Sequence, residues 1–173
     1  MPRDILKTLQ EEHDLVRSLF DDIKGTTDRA KKKRTELLAE IEANLLPHAK
    51  WEETVFYPAF KERADRDALQ THAEAVEEHR AVEETVMPDV HASDVETPEF
   101  AGRVKVFAEM IDHHAKEEEK TMFKMARKMF SAQERASLDE QYEAWKASSA
   151  GINAVKGAQA KTGAKGAVRS ITR

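Results

Sequence analysis

A stretch of the chain is written twice. His48-Ala-Lys-Trp-Glu52 returns as His114-Ala-Lys-Glu-Glu118, and "EEH" at 11–13 returns at 77–79, all at one offset of 66 residues. Each half therefore reads His, then, 35 residues on, His-x-x-x-Glu. A repeat at fixed period implies two copies of one supersecondary unit, neither of which buries its apolar face alone.

Apolar positions recur at helical spacing around these residues. The first amphipathic segment runs over about 4–24 and carries His13 among Ile5, Leu9, Val16, Phe20 and Ile23. The second covers about 29–64, with Leu37, Ile41, Leu45, His48, Glu52 and Phe56 on one stripe. Pro47 and Pro58 interrupt it, and an interior proline kinks a helix. The third covers about 66–90, aligning His79, Glu83 and Val86; the fourth covers about 99–130, aligning Phe107, Ile111, His114, Glu118, Met122 and Met125. With short connections, four such helices predict an all-α, up-down-up-down four-helix bundle built of two halves, about 4–64 and 66–130. "SAQE" at 131–134 is a capping box that opens a short fifth helix to about 147. Residues 1–147 then form one domain. From 148 to 173 the chain is rich in Gly, Ala, Lys and Ser without an apolar period, and it reads as a disordered basic tail.

Residues four apart on a helix lie about 40° apart around its axis. His48 faces the same way as Glu52, and His114 the same way as Glu118, each pair inside an apolar stripe. A carboxylate buried there is costly unless it is paired or binds a metal. His113 points away from its stripe, and the repeat aligns His114 with His48. Six residues, His13, His48, Glu52, His79, His114 and Glu118, thus converge as candidate metal ligands. Bridging glutamates would let them hold two ions. Nitrogen and oxygen donors without thiolate suit iron or manganese, and zinc also accepts imidazole. Glu83, one turn after His79, is a candidate seventh ligand, a carboxylate supporting a ligand, or a salt-bridge residue. Tyr57 would bring a phenol near the metals if the helix kinks at Pro58.

The chain has no cysteine, which excludes disulfides and thiolate sites and fits a cytoplasmic location. Its start lacks a signal-peptide run, and no segment is apolar for the length a membrane span needs. The net charge is −5, but five cations and no acid follow Ser149, so the body carries 23 basic against 33 acidic residues. Such an acidic domain is a poor partner for nucleic acid.

Through "EEHDLVRSLF", "HAKWEETVFYP", "EEHRAVEE" and "HHAKEEEKTMF", the sequence resembles the hemerythrin-like, or HHE cation-binding, family over most of residues 4–130. The resemblance implies a bundle of hemerythrin type with a non-haem di-iron centre, oxo- or hydroxo-bridged, held by the six residues above. Members of the family bind dioxygen, sense oxygen or iron, handle nitric oxide or decompose hydrogen peroxide. Oxygen carriers add a fifth histidine four residues from another on the third helix; here those positions hold Ala75 and Glu83. Their last carboxylate is an aspartate five residues after its histidine, whereas Glu118 follows at four. The chain therefore looks more like the branch with two HHE halves, some of whose members decompose peroxide with a tyrosine near the metals. The function expected is binding of dioxygen, peroxide or a related small ligand, with hydroperoxidase activity as one form of it. The alternative is an iron or oxygen sensor whose metal loading orders the helices for a protein partner.

Overall fold

The computed structural model describes residues 3–171. Every regular element among them is helical. Helix α1, Ile5–Lys24, starts at Asp4, whose side chain accepts from the Leu6 amide, and stops at Gly25. A second rod joins α2, Lys31–Trp51, through a π turn at Glu52–Phe56 to α3, Tyr57–Glu62. The third joins α4, Arg66–Ala81, through a π turn at Val82–Val86 to α5, Met87–His91. The fourth joins α6, Pro98–Glu117, through a π turn at Glu118–Met122 to α7, Phe123–Met129. The first rod touches the second and fourth, and the third touches the same two. Buried Arg34 ties two connections together: it donates to Val95 O at 2.6 Å, to Thr26 Oγ1 at 2.9 Å and to Asp28 at 2.9 Å.

The apolar interior is divided in two. One cluster holds Val16, Phe20, Leu37, Ile41, Val82, Val104 and Phe107; the other holds Ile5, Leu9, Trp51, Phe56, Phe60, Phe123 and Ala126. Each of the four rods contributes to both, and between its two contributions lie His13, His48 with Glu52, His79, or His114 with Glu118. The repeated polar residues thus form a belt between two apolar plugs.

The two prolines stand inside the helical run of the second rod and do not end it. Pro47 lies within α2, and the second rod continues past Pro58 because the π turn absorbs its missing donor. Proline is not the only cause, since the π turn at 118–122 precedes Phe123-Lys124.

Helix α8, Ala132–Ala147, begins with Ser131 and Glu134 forming the capping box reciprocally. The reading of the tail as disordered does not hold over 149–171. Residues 149–171 form α9, Ser149–Ile171, which packs against α5 and α2; Arg173, counted among the tail's cations, lies outside the described residues. A period was present, written in small residues: Gly151, Val155, Ala158, Thr162 and Gly166 recur at helical spacing and face inward. Small side chains let the helix backbone approach closely. A Cβ on Gly151 would sit 2.2 Å from Trp145 O, and one on Gly166 would sit 2.9 Å from His91 Cβ. Arg169 then donates to Thr85 O at 2.7 Å and Glu84 O at 3.0 Å, two carbonyls of the third rod's π turn, and Lys165 pairs with Glu84. No helix among the described residues is long and apolar enough to cross a membrane.

Gly157 and Gly163 meet nothing within 4 Å of an added Cβ. Gly157→Ala and Gly163→Ala should each stabilise α9 by about 0.5–1 kcal/mol through helix propensity. Gly166→Ala should instead loosen it. Amide hydrogen exchange over 155–170 will separate the two: slower in the first pair, faster in the third.

Candidate metal centre

The belt is built to the two-fold pattern of the sequence. His13 Nε2 and His48 Nε2 lie 3.1 Å apart; their repeat partners, His79 Nε2 and His114 Nε2, lie 3.0 Å apart. Every one of these rings meets a glutamate at Nδ1. Glu12 lies 2.9 Å from His48, Glu78 2.7 Å from His114, Glu119 3.0 Å from His13 and Glu53 3.0 Å from His79. A carboxylate at Nδ1 holds the proton there and turns the Nε2 lone pair inward.

Glu52 and Glu118 lie between the two histidine pairs. Glu52 Oε1 is 3.2 Å from His48 Nε2 and Oε2 is 3.6 Å from His79 Nε2, one from each pair. Glu118 Oε2 is 3.4 Å from His13 Nε2 and 3.8 Å from His114 Nε2. Both carboxylates are buried, yet neither oxygen of Glu52, nor Oε2 of Glu118, receives a well-directed hydrogen bond from the described residues. Unsatisfied buried carboxylate oxygens are costly. Imidazole lone pairs about 3 Å apart repel unless a proton or cation lies between them. The donor set therefore fits metal. His13, His48, Glu52 and Glu118 offer atoms all within 4.8 Å of one another, as do Glu52, His79 and His114, so Glu52 belongs to both groups.

Without metal, protons do this work. Burial pulls His48 toward neutrality, but Glu52 and Glu12 outweigh it and its pKa is pushed up to about 10. Burial pushes Glu118 up, but His114, His13 and His48 hold it well below the usual carboxylate range.

The π turns decide what stands beside the ligands. In an α-helix Tyr57 would lie about 140° around from Glu52. Here the Tyr57 amide bonds to Glu52 O, five residues back, which stacks Tyr57 one turn above it. Its phenol donates to Glu118 Oε1 at 2.8 Å and lies 3.2 Å from His79 Nε2. Burial, then Glu118 and Glu52, raise the phenol's pKa well above its ordinary value, so it stays protonated. The repeat partner of Tyr57 is Phe123, stacked above Glu118 by the equivalent bond and lying 6.0 Å from the His13 ring. Among the described residues, Tyr57 alone brings a side-chain hydroxyl against the belt, on one side.

All six candidate ligands come together. Glu83 does not join them: it pairs with Lys50, which bonds Glu53 at 2.7 Å. His113 stays 63% exposed, 3.4 Å from Glu78. Sequence reasoning missed Glu12 and Glu78 as partners of the ligands, although the repeated "EEH" displayed both. It predicted the helix α8 but not that its Tyr142 and Lys146 reach Glu12 at 2.8 and 3.1 Å. An apolar cavity of about 250 Å³ opens from the four imidazoles toward the surface between α2, the third rod and α6.

Comparisons with known proteins agree with this geometry. The profile of the hemerythrin HHE cation binding domain matches residues 4–126. A DNA nickase of Nostoc sp. is 30% identical over 143 residues, 82% of this chain, but the match spans only 39% of that protein's length. The crystal structure of a hemerythrin HHE cation binding domain-containing protein from Mycobacterium kansasii superposes with a TM-score of 0.73. It covers 96% of this chain and 98% of that one at 23% identity, a likeness of fold.

The signs of the two shifts set a pH window for the metal-free protein. The His48 contribution is complete below its unfolded value of about 6.5 and is lost as pH rises toward about 10. The Glu118 contribution is present above about 4.5 and is lost as pH falls. In chelator, the melting temperature should peak between about pH 4.5 and 6.5 and decline toward pH 9. Thermal scans of His48→Gln should show a flatter alkaline side.

Proposed function

The chain belongs to the hemerythrin HHE cation-binding domain family, and from that premise we propose that it is a non-haem di-iron protein acting on peroxide or dioxygen. The observation that carries this reading is the doubled set of paired imidazoles around two unsatisfied buried carboxylates. We read the four rods as an up-down-up-down bundle, because the order in which a rod visits the two apolar clusters reverses from each rod to the next. Antiparallel neighbours are what connections of a few residues allow.

His13 and His48 would hold one ion, His79 and His114 the other, with Glu52 and Glu118 bridging. Manganese or zinc would fit the same donors less selectively. Two iron ions would supply paired one-electron chemistry, enough to exchange two electrons with an O–O bond. The protein's own residues do the rest. The Nδ1-bound glutamates fix ring orientation and strengthen each imidazole as a donor. The Tyr57 phenol is a proton donor held at Glu118 Oε1. Decomposition of peroxide needs no outside reductant: of two hydrogen peroxide molecules, one gains two electrons and two protons to become two waters, and the other loses them to become dioxygen. The apolar cavity admits neutral small molecules, including dioxygen and nitric oxide, and limits water.

A second reading, an iron or oxygen sensor, has its own observation. Glu12, which orients His48, is held by Tyr142 and Lys146 of α8, and α8 runs directly into α9. Filling the centre removes the proton from His48 and so alters the groups that fasten α8. In this reading α9 would pass the change to a protein partner.

Anaerobic titration should load two ferrous ions per chain. His114→Ala should abolish two-ion loading, while His113→Ala should leave it intact; equal effects would refute the ligand assignment. Tyr57→Phe, which copies the Phe123 side of the belt, should retain both ions and slow oxygen evolution from peroxide at least tenfold, toward the low end of proton-donor contributions. Exchange of α8 and α9 that changes strongly with iron, without peroxide turnover, would favour the sensor.

A further inference from the structure

The cavity beside the imidazoles is larger and drier than a diatomic ligand or hydrogen peroxide requires. Its volume is about 250 Å³. A water occupies about 30 Å³ of liquid, and an apolar cavity of about 150 Å³ already takes benzene. All four ligand histidines line the inner end. The wall is Leu45, Leu46, Val82, Met87, Met110 and Ile111. Leu46, Val82, Met87 and Ile111 are buried, and Leu45 and Met110 are partly buried against them, so the wall is part of the packed core.

The mouth differs from the wall. Val106, half exposed, stands there with exposed Glu109 and His113. Glu53, Glu78 and Glu83 also border the cavity. Glu53 and Glu78 are engaged with ligand histidines, and Glu83 with Lys50. Carboxylates thus outnumber cationic groups around an apolar throat, a field that repels anions and is indifferent to neutral molecules.

We propose that this cavity binds uncharged organic hydroperoxides of about six to nine carbons, hydrocarbon against the aliphatic wall and hydroperoxide head at the imidazoles. The proposal rests on the peroxide reading above and names its substrate class. The reaction balances with hydrogen peroxide as the reductant: ROOH + H2O2 → ROH + O2 + H2O. The O–O bond of the organic hydroperoxide breaks, leaving its RO oxygen in the alcohol and its OH oxygen in water. Hydrogen peroxide gives up the two electrons and two protons and becomes dioxygen. A hydroperoxide carrying a carboxylate meets both an acidic rim and a dry wall, and is excluded.

The test uses the iron-loaded full chain with hydrogen peroxide, tert-butyl hydroperoxide, cumene hydroperoxide and linoleate hydroperoxide. Each buried methylene should tighten binding about fourfold, corresponding to about 0.8 kcal/mol. KM should therefore fall at least tenfold from tert-butyl to cumene hydroperoxide, with the linoleate compound poorest of the three organic ones. Met110→Trp fills the cavity, and Val106→Trp narrows its mouth at little risk to folding. Either should raise the ratio of the cumene KM to the hydrogen peroxide KM at least tenfold. Binding is read separately: cumyl alcohol should raise the melting temperature of the loaded protein and shift the Met87 and Met110 methyl resonances, and both effects should vanish in Met110→Trp. Hydrogen peroxide turnover without cumyl alcohol binding, or KM ratios unmoved in both variants, would overturn the cavity assignment and leave the peroxide reading standing. Cumyl alcohol binding that Met110→Trp abolishes, without turnover of any peroxide, would support the cavity as an apolar ligand site and overturn the peroxide reading.

Discussion

Each belt imidazole is gripped twice, by a glutamate at Nδ1 and by the belt's interior at Nε2, and the rest of the molecule follows from that constraint. Four carboxylates must lie outside the ring of histidines and two inside it. A helix can supply an inner and an outer group only from different faces. Hence the adjacent pairs Glu12-His13 and Glu78-His79, and the adjacent pairs Glu52-Glu53 and Glu118-Glu119, in which one member looks inward and the other turns to a neighbouring rod. The four contacts run in a ring around the rods: the first rod supplies Glu12 to the second and takes Glu119 from the fourth, while the third supplies Glu78 to the fourth and takes Glu53 from the second. No rod can rotate without breaking contacts on two sides. The apolar plugs above and below supply most of the driving force for packing, and the belt fixes the register in which they pack.

Much of this was legible before any coordinates. A 66-residue offset with His-x-x-x-Glu on apolar stripes is enough to pick six residues that the structure brings together. It is also enough to prefer His114 to exposed His113, because a one-residue shift moves a side chain about 100° around the helix. Two things were not legible. The π turns have no reliable composition signal, and without them Tyr57 can be placed only by assuming a kink. Helix α9 was invisible because its buried stripe is Gly, Ala and Thr around one Val, residues that a search for large apolar side chains passes over. Small residues bury little area each, but they let backbones approach, and the ion pairs of Lys165 and Arg169 then reach the third rod.

The repeat is exact among the candidate ligands and broken in the residues around them. Imidazole separations in the two halves agree to 0.1 Å, and so does the identity of the carboxylate at every Nδ1. The supporting residues diverge. Glu119 is held by Arg17, whereas Glu53 is held by Lys50; Glu12 is held by Tyr142 and Lys146, whereas Glu78 has His113 and solvent. Tyr57 faces His79, and Phe123 faces His13. The His13–His48 side therefore has cationic anchors behind both its carboxylates and an apolar ring over it. The His79–His114 side has the hydroxyl and the looser outer support.

That asymmetry bears on how a nearly symmetric pair of sites can work unequally. A glutamate tied to a cation is a weaker proton acceptor than a free one, so it transfers less negative charge to its histidine and leaves that histidine a poorer donor. Glu12, with Lys146 beside it and a phenol donating to it, is more restrained than Glu78. The surroundings of the two imidazole pairs therefore differ although their separations do not. The phenol that touches the belt itself, Tyr57, stands on the His79–His114 side, whereas the Tyr142 phenol reaches Glu12 behind His48. The belt's own hydroxyl and the looser outer support therefore coincide, at the half of the repeat where the sequence writes tyrosine in place of phenylalanine.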